Sequence, residues 1–145
     1  MAITDGFLTF DEEQEIVAAI AQAELATSGE IRVHIEGGST APLLERAKEV
    51  FFLLEMDKTS AKNGVLFYIS IHNKSFAIIG DEGINNKVES DFWDSIKNTV
   101  IQRFKNGLYK EGLITGILQT GEKLKTYFPY LRDDINELPN EISKG

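Results

Sequence analysis

Apolar and polar positions along this chain fall into blocks of helical period separated by shorter runs of strand type. Thr9-Phe10-Asp11-Glu12 forms a capping box, in which the threonine hydroxyl takes the amide three residues on and the glutamate reaches back. Asp11, Glu12 and Glu13 put negative charge in the first turn, where the helix dipole favours it. Ile16, Val17 and Ile20 then recur at helical spacing, and Ser28-Gly29 ends the run. Glu30 to Glu36 alternates strictly: Ile31, Val33 and Ile35 point one way, and the charged residues with His34 point the other. That pattern predicts a strand with one wetter face near a sheet edge. After the Gly37 to Thr40 loop, Pro42 opens a helix whose buried stripe is Leu43, Ala47, Val50, Phe51 and Leu54.

A polar connection from Met56 to Gly64 leads into Val65-Leu66-Phe67-Tyr68-Ile69-Ser70-Ile71, an almost continuous apolar run of the kind found in a strand covered on both faces. His72-Asn73-Lys74 turns the chain, and Ser75 to Ile79 returns as the hairpin partner. Gly80-Asp81-Glu82-Gly83 breaks the pattern. A helix capped by Ser90 follows, carrying Phe92, Trp93, Ile96, Val100 and Phe104, and Asn106-Gly107 stops it. The last helix runs from about Leu108 to Tyr127; its Gly112, Gly116 and Gly121 each cost ~1 kcal/mol relative to alanine, which implies close backbone packing. Pro129 closes the domain, and residues 130–145 read as a frayed, flexible tail without sustained period.

The order is α-β-α-β-β-α-α. The second helix is a crossover that makes the first two strands parallel, and the hairpin makes the third antiparallel. Helices on both faces of a small mixed sheet define an α/β fold, a three-layer α/β/α sandwich. Its 145 residues suit one domain, placed at 1–129 with the tail at 130–145.

Charge narrows the partners. Fifteen basic against 23 acidic side chains leave −8, which repels phosphate backbones and anionic lipid surfaces. Nucleic acid and membrane are therefore not expected, and no apolar run is long enough to span a bilayer. A cation or a basic protein suits the surface better, and the net charge favours a monomer. The absence of cysteine removes disulfides and thiolate zinc sites. With no secretory signal at the start, the expected compartment is the cytoplasm.

Topology gives the chemistry a place. Parallel first and second strands put Glu30 and Asn63-Gly64 at one end of the sheet, and the returning third strand brings Asp81 to the same end. Glu30, Asp57, Asp81, Glu82 and Asp91 are then expected at one mouth, where gathered carboxylates call for a hard cation, Ca²⁺ or Mg²⁺. The same acids would serve equally as separate solvated charges at helix starts and turns, and no EF-hand spacing is present. His34 and His72 lack metal-spaced partners and read as surface residues. Neither a P-loop nor a G-x-S-x-G elbow occurs.

The ordered set Ser28-Gly29-Glu30-Ile31-Arg32-Val33, Met56-Asp57-Lys58-Thr59, Asn63-Gly64-Val65-Leu66, Gly80-Asp81-Glu82-Gly83-Ile84, Phe92-Trp93 and Phe104-Lys105-Asn106-Gly107 with Glu111-Gly112-Leu113 resembles the TPM-domain family. That family includes thylakoid-lumen proteins linked to photosystem II repair, and bacterial relatives. The resemblance runs from about Thr9 to Pro129. It implies an α/β/α sandwich and a divalent-metal site on loops at one end of the sheet. Its matching positions are Glu30, Asp57 and Asp81, with Glu82 at a variable position of the turn. Plant members have been assigned acid phosphatase activity. The chain departs from many relatives in lacking a flanking membrane helix and the fuller Gly-Tyr-Gly-Leu-Glu turn.

Three functions follow as expectations. The leading one is a soluble module that binds Ca²⁺ or Mg²⁺ at the acidic rim. The second is a metal-assisted phosphatase with Asp81 or Glu30 as base, for which Lys58 and Lys62 are the only nearby cations. The third is an interaction domain for a basic protein partner.

Overall fold

Helix α1 (Phe10–Ala23) begins on its capping box: the Glu12 amide donates to Thr9 Oγ1 at 3.1 Å and the Thr9 amide to Glu12 Oε1 at 2.9 Å. In the computed structural model, which describes residues 7–130 and 137–145, the order then runs β1 (Glu30–Glu36), α2 (Leu43–Leu53), a 3₁₀ turn (Met56–Lys58), β2 (Gly64–Ser70) and β3 (Ser75–Gly80). It continues through α3 (Glu82–Asn85), α4 (Asp94–Lys105) and α5 (Tyr109–Leu124) to β4 (Ser143–Lys144). The sheet has the order β3-β2-β1-β4; β1 is parallel to β2 and to β4, and β2 is antiparallel to β3.

The apolar run of β2 has the expected consequence: every position from Gly64 to Ser70 is buried. One face of the sheet, with Ile31, Val33, Ile35, Val65, Phe67 and Ile69, packs against α1, α4 and α5. On the other face Leu66, Tyr68 and Ala77 meet Ala47, Val50 and Phe51 of α2, together with Met56 and Leu138. Helices on both sides of a mixed sheet complete the α/β sandwich. Fully buried side chains such as Ile16, Ile20 and Ile117 contribute roughly 1.5–3 kcal/mol each. Helix α5 lies between α1 and α4, and its glycines allow the approach. A Cβ at Gly121 would sit 2.9 Å from the Ala23 carbonyl oxygen, and one at Gly116 would sit 2.5 Å from Val100 Cγ2.

Five expectations are corrected. The wetter face of β1 is covered: Glu30, His34 and Glu36 are all buried. What covers it is the segment read as a frayed tail. Residues 131–136 lie outside the described residues, but 137–145 return to the body. Leu138 is buried beneath α2's layer, and β4 extends the sheet beyond β1, pairing Ser143 with His34 and Lys144 with Ile35. Lys144 Nζ closes the contact with Glu13 of α1 at 2.6 Å. His34 is accordingly a buried residue between Ser143 and Glu36, not a surface one. Finally, Trp93 rather than Ser90 stands at the start of α4, and the Gly80–Gly83 break contains the short helix α3.

Candidate functional site at the acidic rim

Strand register assembles the rim. Glu30 pairs with Gly64, Val65 pairs with Gly80, and the Asp81 amide donates to the Gly64 carbonyl at 3.0 Å. The starts of β1 and β2 and the end of β3 therefore share one end of the sheet, as the topology requires. Gly83 locks α3 against the 57–63 loop. A Cβ there would lie 2.3 Å from the Ala61 carbonyl oxygen and 2.4 Å from that of Lys62, so no side chain fits. The loop braces itself: Lys62, in the left-handed region at φ 52, donates its ammonium to the Asp57 carbonyl at 2.6 Å. The Asn63 amide donates to Thr59 Oγ1 at 3.3 Å.

Asp81 caps α3. Its Oδ1 accepts the Glu82 amide at 2.7 Å, while its Oδ2 is buried without a hydrogen-bond partner. Burial raises the Asp81 carboxyl above its ordinary range. The Glu82 amide and Lys62 oppose the shift, and the Glu82 and Asp57 carboxylates reinforce it. A cleft of about 270 Å³ opens on this carboxyl, walled by Lys48, Phe51 and Phe52 of α2 and by Asp81, Glu82 and Asn85.

The structure thus brings Asp57, Asp81 and Glu82 within one another's field. Glu30 turns away, toward the C-terminal segment: it is buried and accepts the Leu138 amide at 2.7 Å. Burial pushes it up to about 7, against the Leu138 and Glu137 amides and with the help of the Glu137 carboxylate. Asp91 is exposed in the turn before α4, where its carbonyl accepts the Asp94 amide at 3.0 Å. Among the described residues, no three His, Cys, Asp or Glu side chains gather closely enough to cage a metal ion.

Two charged groups escaped the sequence reading. Glu24, just past α1, accepts the Ile31 amide at 3.1 Å; burial pushes it up to about 7 against that hydrogen bond, and Glu30 adds to the rise. At the far end of β1, Glu36 is buried, and Arg46 grips both its oxygens at 2.8 Å. The Tyr68 hydroxyl also donates to Glu36, and His34 Nε2 lies 3.1 Å away. Burial alone would raise Glu36, but these partners outweigh it and hold the carboxyl down to about 2. The available signal was the unbroken polar alternation Glu30, Arg32, His34, Glu36 beside an apolar central strand. So many charges on a sheet face need cover and partners.

The family model for the TPM domain matches residues 3–123, and the chain belongs to the TPM-domain family. It is similar over nearly its whole length to the BA42 protein from the psychrophilic bacterium Bizionia argentinensis, whose NMR structure shares 51% identity at a TM-score of 0.93, the match covering 97% of each chain. Two more distant structures show the same fold. The N-terminal domain of a P. gingivalis protein is 19% identical with a TM-score of 0.68, covering 88% of this chain and 83% of that one. The N-terminal domain of cg2496 from Corynebacterium glutamicum is 11% identical with a TM-score of 0.64, covering 90% and 80%. No curated protein matches the chain. Among the described residues no helix is long and apolar enough to cross a membrane.

Proposed function

We propose that this TPM domain binds a hydrated divalent cation, Ca²⁺ or Mg²⁺, at the rim between the 57–63 loop and α3. Asp81 is the anchor. The observation that carries the reading is its buried Oδ2, which has no donor and faces a local field made more negative by Asp57 and Glu82. A bound cation would satisfy that oxygen and relieve the repulsion at once. Asp57 and Glu82 would reach the ion through metal-bound water. Glu30 and Asp91 would take no part in holding the ion.

This reading is a binding module rather than a phosphatase. Lys62 is committed to the Asp57 carbonyl, and among the described residues the cleft wall offers one lysine, Lys48, a single point charge with no arginine beside it to clamp a phosphate. The test is an amide-resolved NMR titration with each cation. Saturable shifts should concentrate in residues 57–63 and 80–86, and Asp81→Asn should weaken binding at least tenfold while keeping the α3 cap. A titration that leaves both segments unmoved would overturn the proposal.

A further inference from the structure

At the opposite end of the sheet from the rim lies a larger concavity, of about 570 Å³, within the range of roughly 300–1,000 Å³ typical of small-molecule sites. Its floor is the end of the hairpin, Ile69, Ile71 and Phe76, and its wall is Ile101 and Phe104 of α4 with Tyr109 at the start of α5. Ring contacts hold that wall in place: Phe76 meets Phe104 edge-on at 5.5 Å between centroids, Phe104 meets Tyr109 at 5.3 Å, and Phe7 meets Tyr109 at 4.8 Å. The groove is therefore preformed. Its charged residues are of one sign. Lys74 stands at the hairpin turn and Lys105 at the end of α4, and neither ammonium pairs with a carboxylate of the described residues. Among the described residues no Asp or Glu lines the groove, in a chain that carries 23 of them. The hydroxyls of Ser70 and Ser75 are already turned to Asn73, which leaves the two lysines as the cationic donors, beside the Tyr109 hydroxyl.

We infer that this groove binds a monomeric long-chain carboxylate, its hydrocarbon tail on the aromatic wall and its head between Lys74 and Lys105. An apolar bed matches the tail. Two unpaired ammonium groups on an acidic protein match one anionic head, and they distinguish it from neutral or cationic amphiphiles of equal length. The inference is independent of the cation site.

Laurate below its micellar concentration is the probe, titrated into the isotope-labelled chain. Shifts should centre on Ile69, Phe76, Ile101 and Phe104 and weaken with added salt. The K74E/K105E variant changes two exposed side chains, so its spectrum elsewhere should superpose on the parent's; its dissociation constant for laurate should rise at least tenfold. Dodecyltrimethylammonium should bind the parent at least tenfold more weakly than laurate. Absence of groove shifts, unchanged affinity in the charge-reversed variant, or equal binding of the cationic amphiphile would overturn the inference. Shifts that grow with protein concentration alone would assign the face to a second copy and overturn it as well.

Discussion

Glu24 and Glu30 hold the C-terminal segment to β1, and both are pushed by burial from an ordinary 4.5 up to about 7. A group whose folded pKa is raised stabilises the fold fully below its unfolded pKa, and that contribution is lost as pH rises through the folded value. The window is therefore pH 4.5 to 7, with stability falling as pH rises. A rise from 4.5 to about 7 corresponds to roughly 3.5 kcal/mol per group at full strength, since a tenfold change in proton affinity is about 1.4 kcal/mol. The two carboxyls interact and Glu24 is only half-buried, so about 1–2 kcal/mol each is the expected size. His34 acts in the opposite sense in part of this window, because burial lowers its pKa against the pull of Glu36. Comparison with a Glu24→Gln/Glu30→Gln variant removes that contribution, since His34 is common to both. Glutamine keeps an acceptor for the Ile31 and Leu138 amides without the titration. Urea unfolding between pH 4.5 and 8 should show the variant gaining about 2–4 kcal/mol on the parent as pH rises. Amide exchange at Leu138 should accelerate with pH in the parent beyond the intrinsic chemical rate. Parallel stability profiles for the two proteins would refute the reasoning.

Other consequences follow from the same contacts. Glu36→Gln leaves Arg46 with only the exposed Glu49 as counter-charge, so urea unfolding at pH 7 should show a loss of about 1–3 kcal/mol, less than for a fully buried pair because Arg46 borders solvent. Leu138→Ala removes the apolar plug over Met56 and Leu66 and should cost about 2–4 kcal/mol in the same assay. Gly83→Ala forces α3 off the Ala61 and Lys62 carbonyls; thermal unfolding should show a loss of about 1–3 kcal/mol, and NMR should show amide shifts in both rim segments.

Long periodic segments were legible in the sequence because one physical rule dominates each of them. The capping box starts α1 within one residue of its place, and the apolar run of β2 needs cover on both faces wherever it lies. Handedness of the crossover then sets β1 parallel to β2 and gathers the rim segments. The rest depends on contacts distant in sequence. β4 is two residues long, and Leu138 is a lone apolar residue, so neither carries a period. Their role emerges only once the charged face of β1 is seen to need burial. Helix α3, with four residues, is too short to show a helical repeat. Within the site, topology placed the segments but not the side-chain directions. Glu30 was read as a rim acid, yet its carboxylate is taken by the Leu138 amide, and Glu24 and Glu36 gained their environments from residues distant in sequence.

The Asp81 carboxyl itself offers the most direct trial of the rim, by following its side-chain carbon resonance through a pH titration with and without Mg²⁺ or Ca²⁺. In cation-free buffer it should titrate above the usual aspartate range. Either ion, at saturating concentration, should drive that midpoint downward while the amides of 57–63 and 80–86 move. An ordinary midpoint that neither ion displaces would contradict the account.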